Sequence, residues 1–289
     1  MFEIPVWHEF PSSQFSIQFM SPAHHTYTTH KIREQHSPIL KRCVDVDVLV
    51  PVHRDELQPL PLLLLNDGQD SKAVGVKESF QALYKRNLVV PAIIVGVRAG
   101  DRLKEYGVSK RPDYLKRGMH ADKYAQFIHR ELIPYLQDHY PIDSKHARNT
   151  VAGYSLGGLS ALDLIWHHRT CFKQVGVFSG SLWWRSVAYD NGYTDEDRIM
   201  HKVIREGHYK KDLRFWFQTG LLDEKADRNH NGIIDSVDDT VDLISELVRK
   251  GYRPYRDITY YEMKRGRHNT DTWRLAMPRF LQWAFGHTL

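Results

Sequence analysis

Hydrophobic and polar positions change period several times along this chain, and each change marks an element. Residues 42–50 (RCVDVDVLV) alternate, with Val44, Val46 and Val48 on one side and Asp45 and Asp47 on the other. That period of two belongs to a half-solvated, antiparallel strand near a sheet edge. A weaker alternation over residues 12–20 predicts an exposed early strand. Residues 62–65 are instead four consecutive leucines, the pattern of a strand buried on both faces, and they end in the polar turn Asn66-Asp67-Gly68-Gln69-Asp70. A helix is predicted around 77–86 and a second buried strand at 89–97. After a charged loop over 98–111, a long amphipathic helix is predicted from about 121 to 139. Its Tyr124, Phe127, Ile128, Leu132, Ile133 and Leu136 recur at spacings of three and four. An apolar run before Ser155 then leads into a helix reaching about His168. Beyond it, strands are predicted at 174–178, 215–218 and 258–261, and helices at 241–250 and 272–285.

Strands that alternate with helices to the end of the chain imply a mostly parallel sheet of about eight strands, flanked by helices on both faces and joined by right-handed crossovers. With no repeat, low-complexity tract or linker, one domain over residues 1–289 is the economical reading. Ligands of such sheets sit beyond the C-terminal ends of the strands. The residues just after each strand are therefore the ones that bear on function.

Composition narrows the classes. Hydrophobic residues make up 42% and charged residues 26% of 289, ordinary for a globular protein. Mean hydropathy is −0.51, and no apolar run approaches the ~20 residues that span a bilayer. The start, Met-Phe-Glu-Ile-Pro-Val-Trp-His, lacks a basic segment followed by an apolar one, so a cytoplasmic protein is expected. The net charge of +5 is interspersed with acidic residues. It forms no stripe that would track nucleic acid, and it suggests only a mild bias toward anionic small molecules. Cys43 and Cys171 are too few for a disulfide framework, and both are expected to be small core-facing residues.

The most informative stretch is Asn149-Thr-Val-Ala-Gly153-Tyr154-Ser155-Leu156-Gly157-Gly158-Leu159. A bare Gly-x-Ser-x-Gly is weak. Here an apolar run precedes it, and Leu156, Leu159, Leu162 and Ile165 follow at helical spacing. That context describes a strand turning sharply into a helix with a strained serine at the corner. Glycines two residues before and after remove Cβ atoms that would collide. The hydroxyl then projects at a helix N-terminus, where unpaired N–H groups can hold an oxyanion.

A serine nucleophile needs a base, and the base an orienting acid. His268, in Gly266-Arg267-His268-Asn269 between the last strand and the last helix, is the candidate base. Asp223, following the 215–218 strand, is the candidate acid, with Glu224 and Asp227 as fallbacks. The backbone N–H of Leu156 and that of Gln69, in the turn after the leucine strand, would form the oxyanion hole. Asp67, Tyr154, Trp183 and Trp184 are the candidate pocket residues. A carboxylate beside an oxyanion repels it, so Asp67 is expected to brace its loop. The tryptophan pair either walls an acyl pocket or packs beneath a lid.

A second constellation is Asp227-Arg-Asn229-His-Asn231-Gly232-Ile233-Ile234-Asp235-Ser-Val-Asp238. It places oxygen donors at positions 1, 3, 5, 9 and 12, a carbonyl donor (Ile233) at 7 and glycine at 6, as in an EF-hand calcium loop. Asparagine at 3 and 5 and Asp in place of Glu at 12 lower the expected affinity. A Ca2+ ion here would be structural, stiffening the segment that carries Asp223, with no cofactor needed for catalysis. The alternative is a polar turn held by Asn and Asp side chains.

Together, Leu65-Asn66-Asp67-Gly68-Gln69-Asp70, Gly153 to Leu159, Ser179-Gly180-Ser181-Leu182-Trp183-Trp184, Gly220-Leu221-Leu222-Asp223 and Gly266-Arg267-His268 with Trp273 make the chain resemble the "putative esterase" family of α/β-hydrolases. That family includes enterochelin, feruloyl and acetylxylan esterases and S-formylglutathione hydrolase. The resemblance runs from about residue 38 to the end. It implies the α/β-hydrolase fold, a small-molecule ester substrate, Ser155, Asp223 and His268 as the triad, in the chain order those enzymes use, and Gln69 with Leu156 as oxyanion hole. It leaves the substrate open, and the calcium-type loop is not a general feature of the family. A serine esterase leads. An acyltransferase with the same triad, or a non-catalytic, calcium-stabilised binding protein on the same scaffold, would share these residues.

Overall fold

A computed structural model describes residues 26–52, 58–168 and 171–287. The strand predicted at 12–20 lies outside them. The described strands are β1 (Tyr27–Ser37), β2 (Arg42–Pro51), β3 (Leu62–Asn66), β4 (Ile93–Val97), β5 (Thr150–Tyr154), β6 (Gln174–Phe178), β7 (Arg214–Leu222) and β8 (Ile258–Arg267). They form one sheet in the order β1-β2-β4-β3-β5-β6-β7-β8. The β1–β2 and β2–β4 pairs are antiparallel and the others parallel. The fold is that of the α/β-hydrolases.

The leucine run shows why the centre of the sheet reads as continuously apolar. Leu62 and Leu64 enter the core on one face, with Val95, Val151 and Phe217, while Leu63 and Leu65 enter the other, with Ile94, Ala152 and Phe280. Each residue of a central strand is buried, whichever way its side chain points. At the edge the alternation of β2 holds: Val44, Val46 and Val48 are buried, while Asp47 on the other side pairs with Arg33 of β1. Cys43 shares that polar phase and is exposed, contrary to its expected place in the core; Cys171 is buried.

Helices α1 (Val76–Lys85) and α8 (Thr270–Phe285) cover one face, and α3 (Ala121–Phe127), α4 (Ile133–His139) and α5 (Leu156–His167) cover the other. Phe280 of α8 fills the notch over Gly176, where a Cβ would come within 2.4 Å of the ring. Burying such a ring stabilises by roughly 1.5–3 kcal/mol. The short helix α2 (Arg102–Glu105) and α6 (Ile199–Glu206) occupy segments without a predicted element.

Several boundaries differ from the pattern-based ones. The helix over 121–139 is interrupted by a π-helical turn, Ile128–Leu132, next to Pro134, which lacks an N–H and crowds the preceding turn. The strand predicted at 89–97 begins only at Ile93. β7 and β8 run further than predicted, to Leu222 and Arg267, and β1 had no predicted counterpart. Helix α7 (Asp235–Arg249) begins six residues before its predicted start. Asp235 and Asp238 in its first turn favour the positive end of the helix dipole.

Candidate active site

Ser155 stands between β5 and α5 with φ 53° and ψ −122°, a conformation that non-glycine residues rarely hold. The turn is as tight as the glycine spacing implies. A Cβ on Gly153 would lie 2.3 Å from the Gly157 carbonyl oxygen. One on Gly157 would lie 2.6 Å from Asp67 Oδ2, so the second glycine makes room for the neighbouring turn. Leu156 is the first residue of α5, so its N–H has no acceptor within the helix.

The turn after β3 carries Asp67 (φ 60°) and the 3-10 segment Gly68–Asp70. Gly68 presses on Gly96 of β4, where a Cβ would come within 2.4 Å of backbone. Asp67 is almost fully buried. Its carboxylate accepts two hydrogen bonds from Arg102, at 2.7 and 3.0 Å, and one from Gln69 Nε2 at 2.8 Å. Its N–H donates to Tyr106 Oη at 3.0 Å, and next to it Asn66 Nδ2 donates to the Gly157 carbonyl at 2.8 Å. This network clamps the turn against the serine corner. The side chain of Gln69 is engaged away from Ser155, with Asp67 and with the N–H of Ala99. As the central residue of its one-turn segment, Gln69 keeps a backbone N–H without an intrahelical acceptor.

Asp223 and His268 follow directly on β7 and β8, whose last paired residues are Leu222 and Arg267. Asp223 Oδ2 accepts the Gly220 N–H at 3.1 Å. Burial raises its carboxyl above the ordinary value, opposed by the Gly220 N–H, the Ser179 hydroxyl and His268. Burial lowers the imidazole of His268, Asp223 acts to raise it, and Arg102 adds to the lowering. The ring of His268 meets Trp273 edge-on, with centroids 5.4 Å apart. Asn269 caps α8 by accepting the Thr272 N–H at 3.0 Å, which anchors the chain just past the histidine.

Ser155, Leu156, Asp223 and His268 line one cavity of about 360 Å3, together with Trp183 and Arg117. Ser155 Oγ lies 3.3 Å from Ser181 Oγ. Trp183 is the half-buried wall of the tryptophan pair. Trp184 is fully buried, donates from Nε1 to the Arg111 carbonyl at 3.3 Å and does not line the cavity. Tyr154 does not reach the cavity: it points to the opposite face of the sheet and stacks on Trp273 at 5.0 Å. Asp67 and Gln69 are likewise not among the cavity's lining residues.

The profile of the family described as "putative esterase" matches residues 37–284. The chain belongs to this family. A Bacillus subtilis protein named uncharacterized protein YbbA is 24% identical over 147 residues, covering 48% of this chain and 57% of its own length. The siderophore triacetylfusarinine C esterase of Aspergillus fumigatus is 22% identical, covering 70% of this chain and 76% of its own. The enterochelin esterase structure from Shigella flexneri superimposes with a TM-score of 0.69 at 21% identity, over 89% of this chain and 57% of that one. The chain thus spans little more than half the length of two of these three relatives.

Pattern reading missed several residues around the Ser155 cavity. Ser179, in the left-handed region at φ 42°, accepts a hydrogen bond from Trp273 Nε1 at 3.1 Å. Leu103 and Arg117 come from the charged connection after β4, which has no hydrophobic period to reveal what it faces. Glu224, a fallback for the acid, also lines the cavity, and burial raises its carboxyl. Asp227, the other fallback, accepts the N–H groups of Asn231 and Gly232 instead.

Among the described residues no three His, Cys, Asp or Glu side chains converge as a metal site. In the 227–238 loop, Asp238 accepts from the amides of Asn229 and Asn231, at 3.0 and 2.8 Å. Asp235 is held by Arg228, through its N–H at 2.8 Å and its guanidinium at 3.2 Å. Ile233 donates its N–H to Asn231 Oδ1 at 2.8 Å. No helix of the described residues is long and apolar enough to cross a membrane.

Proposed function

We propose that this esterase-family protein hydrolyses a carboxylic ester through Ser155, His268 and Asp223. Ser155 Oγ attacks the ester carbonyl while His268 takes its proton. Asp223 holds the imidazole in the reactive tautomer and stabilises its protonated form. The N–H groups of Leu156 and Gln69 stabilise the tetrahedral oxyanion. His268 returns the proton to the departing alcohol, and water, activated by the same imidazole, releases the acyl group.

The observation that carries this reading is the meeting of three residues, far apart in sequence, on the wall of one cavity, with the serine strained at a helix start. Ser155 Oγ lies 3.3 Å from Ser181 Oγ, and catalytic hydrogen bonds to the base commonly form or tighten only in the complex. At about 360 Å3 the cavity lies at the low end for small-molecule sites, so it admits one limb of an ester. The similarity to siderophore and enterochelin esterases makes siderophore esters the first natural substrates to assay. Ser155→Ala is expected to abolish hydrolysis of short p-nitrophenyl esters and labelling by a fluorophosphonate. Turnover persisting at the wild-type rate would refute the assignment.

A further inference from the structure

Beside the Ser155 cavity lies a second, of about 280 Å3, and the two share Arg117, Trp183 and Glu224 in their walls. Tyr114, Arg185, Tyr189 and Asp235 contribute to the rest. The charges there differ in whether they are answered. Arg117 is held by Asp113, with Nε 2.6 Å from Oδ2, and Asp235 is held by Arg228. Burial, and the neighbouring Asp235, raise the carboxyl of Glu224 above the ordinary value.

Arg185 is different. It is only 8% exposed, yet its guanidinium is surrounded by rings: Tyr189 at 3.7 Å, Tyr114 at 4.8 Å and Tyr193 at 5.9 Å from their centroids. Nη2 donates to Tyr114 Oη at 3.3 Å, and Nε is buried without a hydrogen-bond partner. Cation–π contacts offset part of the cost of burying this charge. They leave the N–H unmet, and a buried charged donor without an acceptor is costly. A planar carboxylate matches the guanidinium fork and would satisfy it.

We propose that the second cavity is an anion subsite of the ester site, in which Arg185 pairs with a carboxylate carried by the substrate. This rests on the esterase reading of Ser155. Tyr114 and Tyr189 hold the guanidinium in place, and Trp183 forms the apolar wall between the carboxylate and the scissile ester.

The test compares kcat/KM for mono-p-nitrophenyl esters of dicarboxylic acids, succinate to suberate, with neutral p-nitrophenyl esters of the same acyl length. For the alcohol side, 4-carboxyphenyl acetate is compared with 4-methylphenyl acetate. The wild type is expected to favour the carboxylate member of at least one pair. Arg185→Gln should lower that ratio about 10- to 100-fold, the size of a lost charge-assisted hydrogen bond. Arg185→Lys, which keeps the charge without the fork, should fall between them. A wild-type ratio near one in every pair overturns the subsite without recourse to a variant, and so does a preference that survives Arg185→Gln. Turnover of neutral esters that requires Ser155 leaves the esterase reading standing in those cases; no turnover of any ester overturns both.

Discussion

Leu222 and Arg267 are partners across β7 and β8, and the residues that follow them in the chain are Asp223 and His268. The proposed acid and base are thus neighbours by sheet register, each one residue beyond the last rung of a ladder. Two glycines make the rung close: a Cβ on Gly220 would lie 2.4 Å from the carbonyl carbon and oxygen of Gly266 and 2.7 Å from Asp223 Oδ1.

Gly220→Ala therefore has to part the strands or displace the carboxylate. Overpacking against backbone costs about 1–3 kcal/mol, and a misoriented acid would lower kcat about 100-fold. Gly192→Ala is the control, since nothing lies within 4 Å of its Cβ position. Its only penalty is the left-handed φ of 79°, about 1–2 kcal/mol, with kcat retained. Denaturant unfolding and steady-state kinetics on the two variants decide the point.

The direction of the His268 shift sets the acid limb of the pH profile. Burial lowers this imidazole below 6.5, so the neutral base persists to lower pH than free histidine. kcat/KM should fall through a midpoint below 6.5. Stability moves the same way. His129 is pushed to about 4 and His201 to about 3 by burial. Both are neutral in the fold and bind protons on unfolding, so their contribution is present above pH 6.5 and is lost as pH falls toward those values. Melting curves at each pH separate the two effects. A midpoint above 6.5 would contradict the assigned base.

The 227–238 loop makes a separate prediction. Asp227 and Asp238 both engage Asn231, whereas Asp235 is turned to Arg228. Binding through the two remaining carboxylates, two asparagines and a carbonyl should be weak, with Kd of about 10⁻⁴–10⁻³ M. Millimolar Ca2+ should raise Tm, by linkage of ion binding to the folded state. EDTA should reverse the rise and reduce activity, and Asp227→Ala should remove the response. Melting curves that coincide with and without calcium would take the ion out of the account.

The serine corner is legible in the sequence because most of its constraints are local. Gly153 and Gly157 are two residues from Ser155, and the collision that excludes a Cβ at Gly153 is set by the turn itself, whereas Gly157 also makes room for Asp67 in the turn after β3. The alternation of β2 and the leucines of β3 were legible for a related reason: burial by a sheet face imposes a period on the strand. What the chain order could not reveal were contacts set by pairing and packing. β8 continues through polar residues to Arg267 because a neighbouring strand takes its hydrogen bonds. Tyr154 misses the cavity because the pleat turns it to the other face. Arg185 lies in an aperiodic connection, and only the packing of Tyr114 and Tyr189 around it makes its charge buried. Local sterics and burial patterns are written along the chain, whereas the company a charged side chain keeps depends on segments that meet only when the sheet has formed.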